Sequence, residues 1–294
     1  MRGAAGGLLH GTTPMTHHVA VAIRPGEHAC CRFAHAADRR RVAVAQVRDG
    51  IARGHRVVYL GDCDDVGAFV AELVAVEPAI EPALASGQLV VRRACDAYTP
   101  DGTFEIERAV RAMEDDHTAA LADGYQGLTI TGEMGTSLTA APGAESLDEY
   151  EQRLDAADTS TSVLLCQYDH RRFDPATLSE LALCHRVDLA PELAAIGRDG
   201  GLAAARVRPD TLRLAGELDF GSAQDLAEVL QAHYHGRLDL DVADLSFVDV
   251  AGLRALRGRT GQRLRIAGAS QTVRRLLGLL AWDTDPGVEI VDAG

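Results

Sequence analysis

Residues 55–76 read HRVVYLGDCDDVGAFVAELVAV, and this stretch decides the fold. It opens with a short apolar run that ends at Gly61-Asp62, and it continues into a segment with apolar residues at helical spacing. A continuous apolar strand is typical of a parallel sheet whose two faces are both covered by helices. The stretch therefore predicts one strand and one helix of an α/β domain.

The same alternation runs through most of the first 190 residues. Further strands are predicted over residues 27–34, 88–96, 125–134 and 161–170. Further helices are predicted over residues 35–54, 102–124, 145–157 and 175–185. Strands that alternate with helices favour a mainly parallel sheet sandwiched by helices.

A Pro- and Gly-rich stretch, residues 191–202, separates this region from a smaller one and is predicted to be a linker. The smaller region begins with a predicted hairpin that turns at Pro209-Asp210. It then alternates helices and strands, which indicates a compact α/β domain. The predicted organisation is a disordered lead-in over 1–18, a first domain over 19–190, the linker, and a second domain over 203–294.

Composition excludes several functional classes. The chain has 294 residues and a net charge of −14, and an acidic surface repels nucleic-acid phosphates, so no direct nucleic-acid binding is expected. All 29 basic residues are arginine, which excludes a phosphate-loop lysine and a Schiff-base lysine. No apolar run reaches the ~18 residues of a membrane span. The six cysteines form no C-x-x-C pair and no export signal precedes them, which predicts reduced thiols in the cytoplasm.

Three stretches of the second domain carry a family resemblance. They are LRLAGELDFGSAQDL (212–226), LDLDVADLSFVDVAGLRAL (238–256) and RLRIAGASQTVRRLLGLL (263–280). In this order they resemble the STAS family, the fold of anti-sigma-factor antagonists, over about residues 203–293. The resemblance implies that this domain binds a regulatory protein such as an anti-sigma factor or a kinase.

One position departs from that family's pattern. After the aspartate that begins the helix, the family usually has a serine that takes a phosphate, and here the residue is Val250. Valine has no hydroxyl, so we expect binding without phosphorylation at this position. Ser222 and Ser246 stay open as alternative acceptors, although serines there are also typical of caps and turns. The candidate partner-binding residues are Asp219, Ser222, Ser246, Asp249, Val250 and Gly252.

The first domain resembles RecA-like ATPases of the clock type over EHACCRFAHAADRRRVAVAQVRDGIARGHRVVYLGD, residues 27–62. In those proteins a glycine-rich loop that ends in lysine and a hydroxyl residue follows the first strand and holds phosphates. Here the same place reads FAHAADRRR, without glycine or lysine. We therefore expect no ATP hydrolysis, and a charge run such as Arg39–Arg41 is typical of a solvated helix start.

A second resemblance covers about residues 24–191. It is carried by GEHACCRF, GHRVVYLGD, GQLVV, AYTPDGTFE, GLTITGEM, SLDEYEQRL, LLCQYDHRRF and LALCHRVDL. As an ordered set they are similar to the MEDS sensory domain, named for methanogens, methylotrophs and a dichloromethane-responsive regulator. The resemblance implies a sensor, in a family linked to small hydrocarbon derivatives.

A ligand is expected beyond the carboxyl ends of the strands, as in other open α/β sheets. The candidate ligand-binding residues at or near that edge are His28, Cys30, Phe33, His35, Asp62, Cys63, Glu133, Cys166 and Tyr168. His28-x-Cys30 is not a standard zinc ligand pair, so we predict no metal and no cofactor. Four possibilities stay open for this edge: an organic or nucleotide-like ligand, a metal, redox sensing by the cysteines, or no ligand at all.

Together these patterns predict a cytoplasmic signalling regulator that is not an enzyme. Its first domain senses a small organic ligand or a partner, and its second domain binds a regulatory protein, with coupling across the linker. The alternatives are a weak nucleotide hydrolase or transferase that uses the RecA-like domain, and a scaffold in which both domains only assemble. A homodimer is a further option.

Overall fold

The computed structural model describes residues 22–62, 66–157, 160–190, 193, 196, 201–208, 211–257 and 262–292. The predicted lead-in over 1–18 and most of the predicted linker lie outside the described residues. The strands are β1 (Glu27–Phe33), β2 (Arg56–Gly61), β3 (Leu89–Arg93), β4 (Leu128–Met134), β5 (Ser162–Asp169), β6 (Val187–Leu189), β7 (Leu202–Arg208), β8 (Thr211–Leu218), β9 (Arg237–Val248), β10 (Arg263–Ala267) and β11 (Val288–Val291). The helices are α1 (Ala36–Ala52), α2 (Val66–Val76), α3 (Glu81–Ser86), α4 (Ala94–Tyr98), α5 (Ile106–Ala122), α6 (Thr136–Thr139), α7 (Leu147–Ala156), α8 (Pro175–Leu183), α9 (Phe220–His233), α10 (Val250–Ala255) and α11 (Gln271–Leu279).

The eleven described strands form one sheet in the order β11-β10-β9-β8-β7-β6-β1-β5-β4-β2-β3. Strand β7 is antiparallel to both of its neighbours, and the other pairs are parallel. The predicted α/β class with a mainly parallel sheet is confirmed. All strands except β7 consequently point their carboxyl ends toward the same edge of the sheet.

Two details differ from the sequence prediction. The strand predicted over residues 88–96 ends at Arg93, and Ala94 to Tyr98 form α4, in which Ala94 and Tyr98 are buried. Arg93 pairs with Asp96 at 2.6 Å across this first helical turn. Strands β6 and β11 were not predicted, because three and four residues are too few to show a periodic pattern.

The two faces of the central strands carry different side chains, because successive residues of a strand point to opposite faces. On one face, which we call the α7 face, Cys30 and Cys166 pack with apolar residues of α5, α7 and α8. On the other, the α1 face, Ala29 and Cys31 pack with Ala45 of α1. The polar side chains of β1 and β5 are thereby divided between two separate environments.

Strands β6 and β7 join the two domains, and ion pairs at this junction reinforce the pairing. Arg213 of β8 is 3% exposed, and its guanidinium donates to both carboxylate oxygens of Glu27, at 2.6 and 2.9 Å. It also donates to Asp241 of β9 at 3.2 Å. Arg24 pairs with Asp241 at 2.9 Å and with Asp244 at 2.8 Å. Bidentate arginine–carboxylate pairs fix geometry as well as charge, so the junction holds the domains in one arrangement.

In the part of the chain that the structure describes, none of the helices combines the length and apolar character that crossing a bilayer would need.

Candidate functional site

A cluster of four buried polar side chains lies on the α7 face of the first domain. We call His28, Glu151, Cys166 and His185 the Glu151 cluster. Glu151 is 0% exposed, and the other three are also buried. A carboxylate is almost never fully buried unless it is paired, so its partners define the site.

Three side chains converge on one oxygen of Glu151. Its Oε2 lies 3.1 Å from His28 Nε2, 3.3 Å from His185 Nε2 and 3.3 Å from Cys166 Sγ. His28 Nε2 and Cys166 Sγ are themselves 3.3 Å apart. The other carboxylate oxygen, Oε1, accepts a hydrogen bond from the Tyr168 hydroxyl. Glu151 is therefore the centre of the cluster.

Four different elements bring these residues together. His28 and Cys166 come from the adjacent parallel strands β1 and β5, in which Cys30 is the register partner of Cys166. Glu151 comes from the buried stripe of α7. His185 follows the end of α8, and its Nδ1 lies 2.7 Å from the backbone oxygen of Leu181. The two that are nearest in sequence, Glu151 and Cys166, lie 15 residues apart.

The cluster shifts the pKa values of its members in different directions. Burial by itself raises the pKa of Glu151, but His185 and His28 hold it well below its ordinary value. Burial lowers the pKa of His28, whereas for His185 the contact with Glu151 outweighs burial and raises the pKa. Burial raises the pKa of the Cys166 thiol, and the Glu151 carboxylate adds to the rise. The cluster thus holds an ionised carboxylate and a neutral thiol at neutral pH.

A cavity of about 240 Å³ adjoins the cluster on the same face of the sheet. Cys166 lines it, together with apolar and aromatic residues that include Met113, Tyr98 and Tyr150. The rings of Tyr98 and Tyr150 meet edge to face, with centroids 6.2 Å apart. Arg92 and Asp116 also line it and pair at 2.6 Å. The cavity lining is therefore mainly apolar and includes one ion pair.

Between the carboxyl ends of β1, β4 and β5, where a ligand was predicted, lies a small recess of about 100 Å³. Phe33, Asp62 and Glu133 line it, and ion pairs occupy its walls. Arg39 donates to Glu133 at 2.9 Å, and the Tyr59 hydroxyl donates to the same carboxylate at 2.5 Å. The Glu133 carboxylate is consequently paired with Arg39 and Tyr59 rather than free.

The remaining predicted ligand residues lie elsewhere. His35 is exposed and precedes the first turn of α1 without a side-chain cap bond. Cys30 is buried, with its thiol 3.6 Å from Asp188 of β6, and Tyr168 is part of the shell around Glu151. Cys63 lies outside the described residues. Of the nine candidates, three thus line the edge recess and four lie on the α7 face.

Sequence reasoning missed Glu151 and His185. The signal for Glu151 was present, because Leu147, Tyr150, Glu151 and Leu154 form one buried stripe at helical spacing, and a glutamate in such a stripe needs a buried partner. His185 carried no comparable signal, since it follows α8 and its contacts come from distant elements.

The second domain presents an exposed apolar surface where α9 and α10 begin. Asp219 caps α9 by accepting from Ser222 N, and Asp249 caps α10 by accepting from Gly252 N at 2.7 Å. The other oxygen of Asp249 accepts from Phe220 N at 3.1 Å, which joins the two helix starts. Phe220 is 81% exposed and Val250 is 40% exposed.

The alternative phosphate acceptors differ in accessibility. Ser222 is buried, and its hydroxyl accepts from Asp219 N at 3.0 Å within a capping box. Ser246 is exposed on β9. Gly252 packs so closely that a Cβ atom there would lie 2.3 Å from the backbone oxygen of Leu218. Capping and close packing therefore account for Asp219, Ser222, Asp249 and Gly252, while Val250 remains an exposed apolar side chain.

Comparison with known families assigns the first domain. The model described as MEDS, the MEthanogen/methylotroph, DcmR Sensory domain, matches residues 27–186, which is more than half of the chain. The chain belongs to the MEDS family. A second model, described as Mlab, STAS domain, matches residues 203–292. The predicted fusion of a MEDS domain to a STAS domain is confirmed.

Solved structures are similar at low sequence identity. Flagellar accessory protein FlaH from Methanocaldococcus jannaschii is 12% identical, covers 63% of this chain and 79% of its own, and has a TM-score of 0.45. KaiC-like protein PH0186 from Pyrococcus horikoshii OT3 is 9% identical, covers 63% and 80%, and has a TM-score of 0.43. The anti-sigma factor antagonist SpoIIAA in its unphosphorylated form is 19% identical, covers 32% and 89%, and has a TM-score of 0.25. No curated protein matches the chain.

Proposed function

We propose that this MEDS–STAS chain is a cytoplasmic signalling regulator without enzymatic activity. Its MEDS domain binds a small, mainly apolar ligand, and its STAS domain binds a regulatory protein such as an anti-sigma factor or a kinase. The observation that carries the proposal is Val250, an exposed apolar residue at the start of a capped helix in a STAS domain. A surface that cannot take a phosphate at this position is suited to constitutive docking. Among the residues that the structure describes, the five cysteines are free thiols, which fits a reducing compartment.

The ligand is assigned to the 240 Å³ cavity rather than to the edge recess. Ion pairs line the recess, whereas the cavity offers apolar walls and two tyrosine rings. Pockets for drug-sized ligands span ~300–1,000 Å³, so this cavity suits a smaller molecule.

Occupancy of the cavity is testable by thermal shift of the full chain. The probes are short alcohols, haloalkanes and thioethers, with ATP-magnesium as the comparison. Ala112 lines the cavity, so we expect Ala112→Phe to abolish the shift, while Ala119→Phe on the exposed side of α5 preserves it. A shift with ATP-magnesium alone would favour the nucleotide-binding alternative.

Docking is testable by immobilising the full chain and capturing proteins from a cell extract. Each captured protein is identified, and its binding is then measured with purified components. Phe220→Ser combined with Val250→Asp removes the apolar surface and adds a charge, and we expect binding to fall at least tenfold. The matched control is Leu279→Ser, which changes an exposed apolar residue on α11. Incubation of the purified pair with ATP should leave residues 203–294 unphosphorylated, and phosphate on Ser246 would contradict the proposed regulation.

A further inference from the structure

The donor atoms of the Glu151 cluster lie at the spacing of ligands around a metal ion. One atom from each of its four side chains lies within 4.8 Å of all the others. Four of these separations, all involving Glu151 Oε2 or Cys166 Sγ, are 3.1 to 3.3 Å. Bonds of ~2.0–2.3 Å in a tetrahedral site place neighbouring ligand atoms about 3.3–3.6 Å apart. Four of the six separations therefore match this spacing to within a few tenths of an ångström, and the other two are no longer than 4.8 Å.

The orientation of His185 is the one that a metal-binding histidine needs. Its Nδ1 lies 2.7 Å from the backbone oxygen of Leu181, and a carbonyl can only accept, so Nδ1 carries the proton. The other nitrogen, Nε2, points into the cluster, where it lies 3.3 Å from Glu151 Oε2. Metal-bound histidines are held in this way, with the second nitrogen donating to a carbonyl or a carboxylate.

Glu151 is oriented by a similar contact. The Tyr168 hydroxyl donates to Oε1, which leaves Oε2 as the oxygen on which the two histidines and the thiol converge. Both outer contacts thus orient a donor atom toward the same point.

We propose that His28, Glu151, Cys166 and His185 bind one zinc ion. Two imidazoles, one thiolate and one carboxylate suit zinc, whereas magnesium and calcium prefer oxygen ligands alone. The Cys166 thiol releases its proton to solvent when its sulfur binds the ion. All four ligands come from the protein and all are buried, which is the pattern of a structural site.

Such an ion would brace the domain by connecting β1, β5, α7 and the segment after α8. Sequence spacing could not reveal it, because each ligand comes from a different element. The inference stands apart from the proposed function, since the ion would be bound whether or not the STAS surface engages a partner.

The test uses the full chain purified without an affinity tag or chelator. We expect one zinc per chain by inductively coupled plasma mass spectrometry. X-ray absorption at the zinc edge should show one sulfur ligand with nitrogen and oxygen ligands. A chain that purifies without zinc, and that neither binds added zinc nor gains thermal stability from it, would overturn the proposal. A zinc shell without sulfur would overturn it too, because the ion would then lie elsewhere.

Substitution of the two neighbouring thiols provides a matched pair. After replacement of zinc by cobalt, the wild-type chain should show a thiolate-to-cobalt charge-transfer band, and Cys166→Ser should lose it and bind zinc at least tenfold more weakly. Cys30→Ser is the control, because Cys30 is buried on the same face next to Cys166 but lies outside the ligand set. Equal cobalt spectra for the two variants would contradict the assignment. The absorption measurement on the wild-type chain keeps the test decisive if Cys166→Ser does not fold.

Discussion

The two domains place their candidate functional residues in opposite environments. In the MEDS domain the polar residues are buried, and Glu151 lies at the centre of a fully enclosed cluster. In the STAS domain two apolar residues, Phe220 and Val250, are exposed beside two capped helix starts. Buried polar groups suit something small enough to enter the domain, whereas an exposed apolar surface suits a macromolecule.

One continuous sheet carries both kinds of site. The STAS surface follows the carboxyl ends of β8 and β9, and the edge recess of the MEDS domain follows the carboxyl ends of β1, β4 and β5. Strand β8 is three positions from β1, and neighbouring strands are ~4.8 Å apart, so β8 and β1 lie about 14 Å apart along this edge of the sheet. A rigid sheet with ion pairs at the junction is a direct mechanical connection between the domains.

The largest effect is expected from removal of the buried carboxylate. Glu151→Ala leaves two histidines and a thiol without their shared partner, and breaking a buried charged pair costs ~3–5 kcal/mol. Urea unfolding should therefore show a loss of this size in the free energy of unfolding. The control is Glu149→Ala on the exposed side of α7, for which we expect less than ~0.5 kcal/mol. Equal losses for both variants would mean that the cluster does not stabilise the domain.

The next largest effect is expected at the junction. Arg213→Met removes the bidentate pair with Glu27 and the contact with Asp241, and we expect a loss of about 2–3 kcal/mol. Arg237→Met, which breaks a surface pair with Asp239, should cost less than ~1 kcal/mol. Thermal unfolding of both variants tests this difference. If Arg213→Met is as stable as the wild-type chain, the ion pairs do not stabilise the junction.

A smaller effect is expected at the helix cap of the STAS surface. Asp249→Ala removes the acceptor for Gly252 N and for Phe220 N, and loss of a cap costs ~0.5–2 kcal/mol. Asp249→Asn retains an oxygen acceptor, so it should recover most of the stability. If the two variants are equally destabilised in urea, the effect comes from charge rather than from capping.

The smallest effect on stability is expected from Val250 itself. Val250→Asp places a negative side chain at a helix start and buries nothing, so we expect a change within ~0.5 kcal/mol together with a loss of partner binding. Calorimetric binding and thermal unfolding measured on the same protein separate the two effects. A large loss of stability would show that the Val250 side chain packs within the domain and is not available to a partner.

Sequence patterns predicted the strands and helices well where they were long and apolar. The runs around Tyr59, Ile130 and Leu164 show the near-continuous apolar character of a doubly covered sheet, and each is a strand. The strands β6 and β11 are too short to show a periodic pattern of apolar residues. The pairing of β6 with β7 crosses the domain boundary through a single bridged pair, Asp188 with Arg206, and no local pattern predicts such a contact.

The candidate site was predicted only in part. His28, Cys30, Cys166 and Tyr168 were named, but they were grouped with Phe33 and Glu133 at one edge. Alternation along β1 and β5 places the first four on one face, whereas Phe33 and Glu133 lie at the recess. Glu151 and His185 come from helix α7 and from the segment after α8, and their approach to β1 and β5 depends on tertiary packing.

The most direct test of a single connected sheet is equilibrium unfolding of the full chain followed by one reporter in each domain. Trp282 is the chain's only tryptophan and lies buried in the STAS domain, so its fluorescence reports that domain alone. All six cysteines precede residue 185, so pulsed thiol labelling of the buried Cys30, Cys31 and Cys166 reports the MEDS domain. We predict coincident midpoints in urea for the two signals. Two separate midpoints in the wild-type chain would contradict a junction that holds both domains in one cooperative unit.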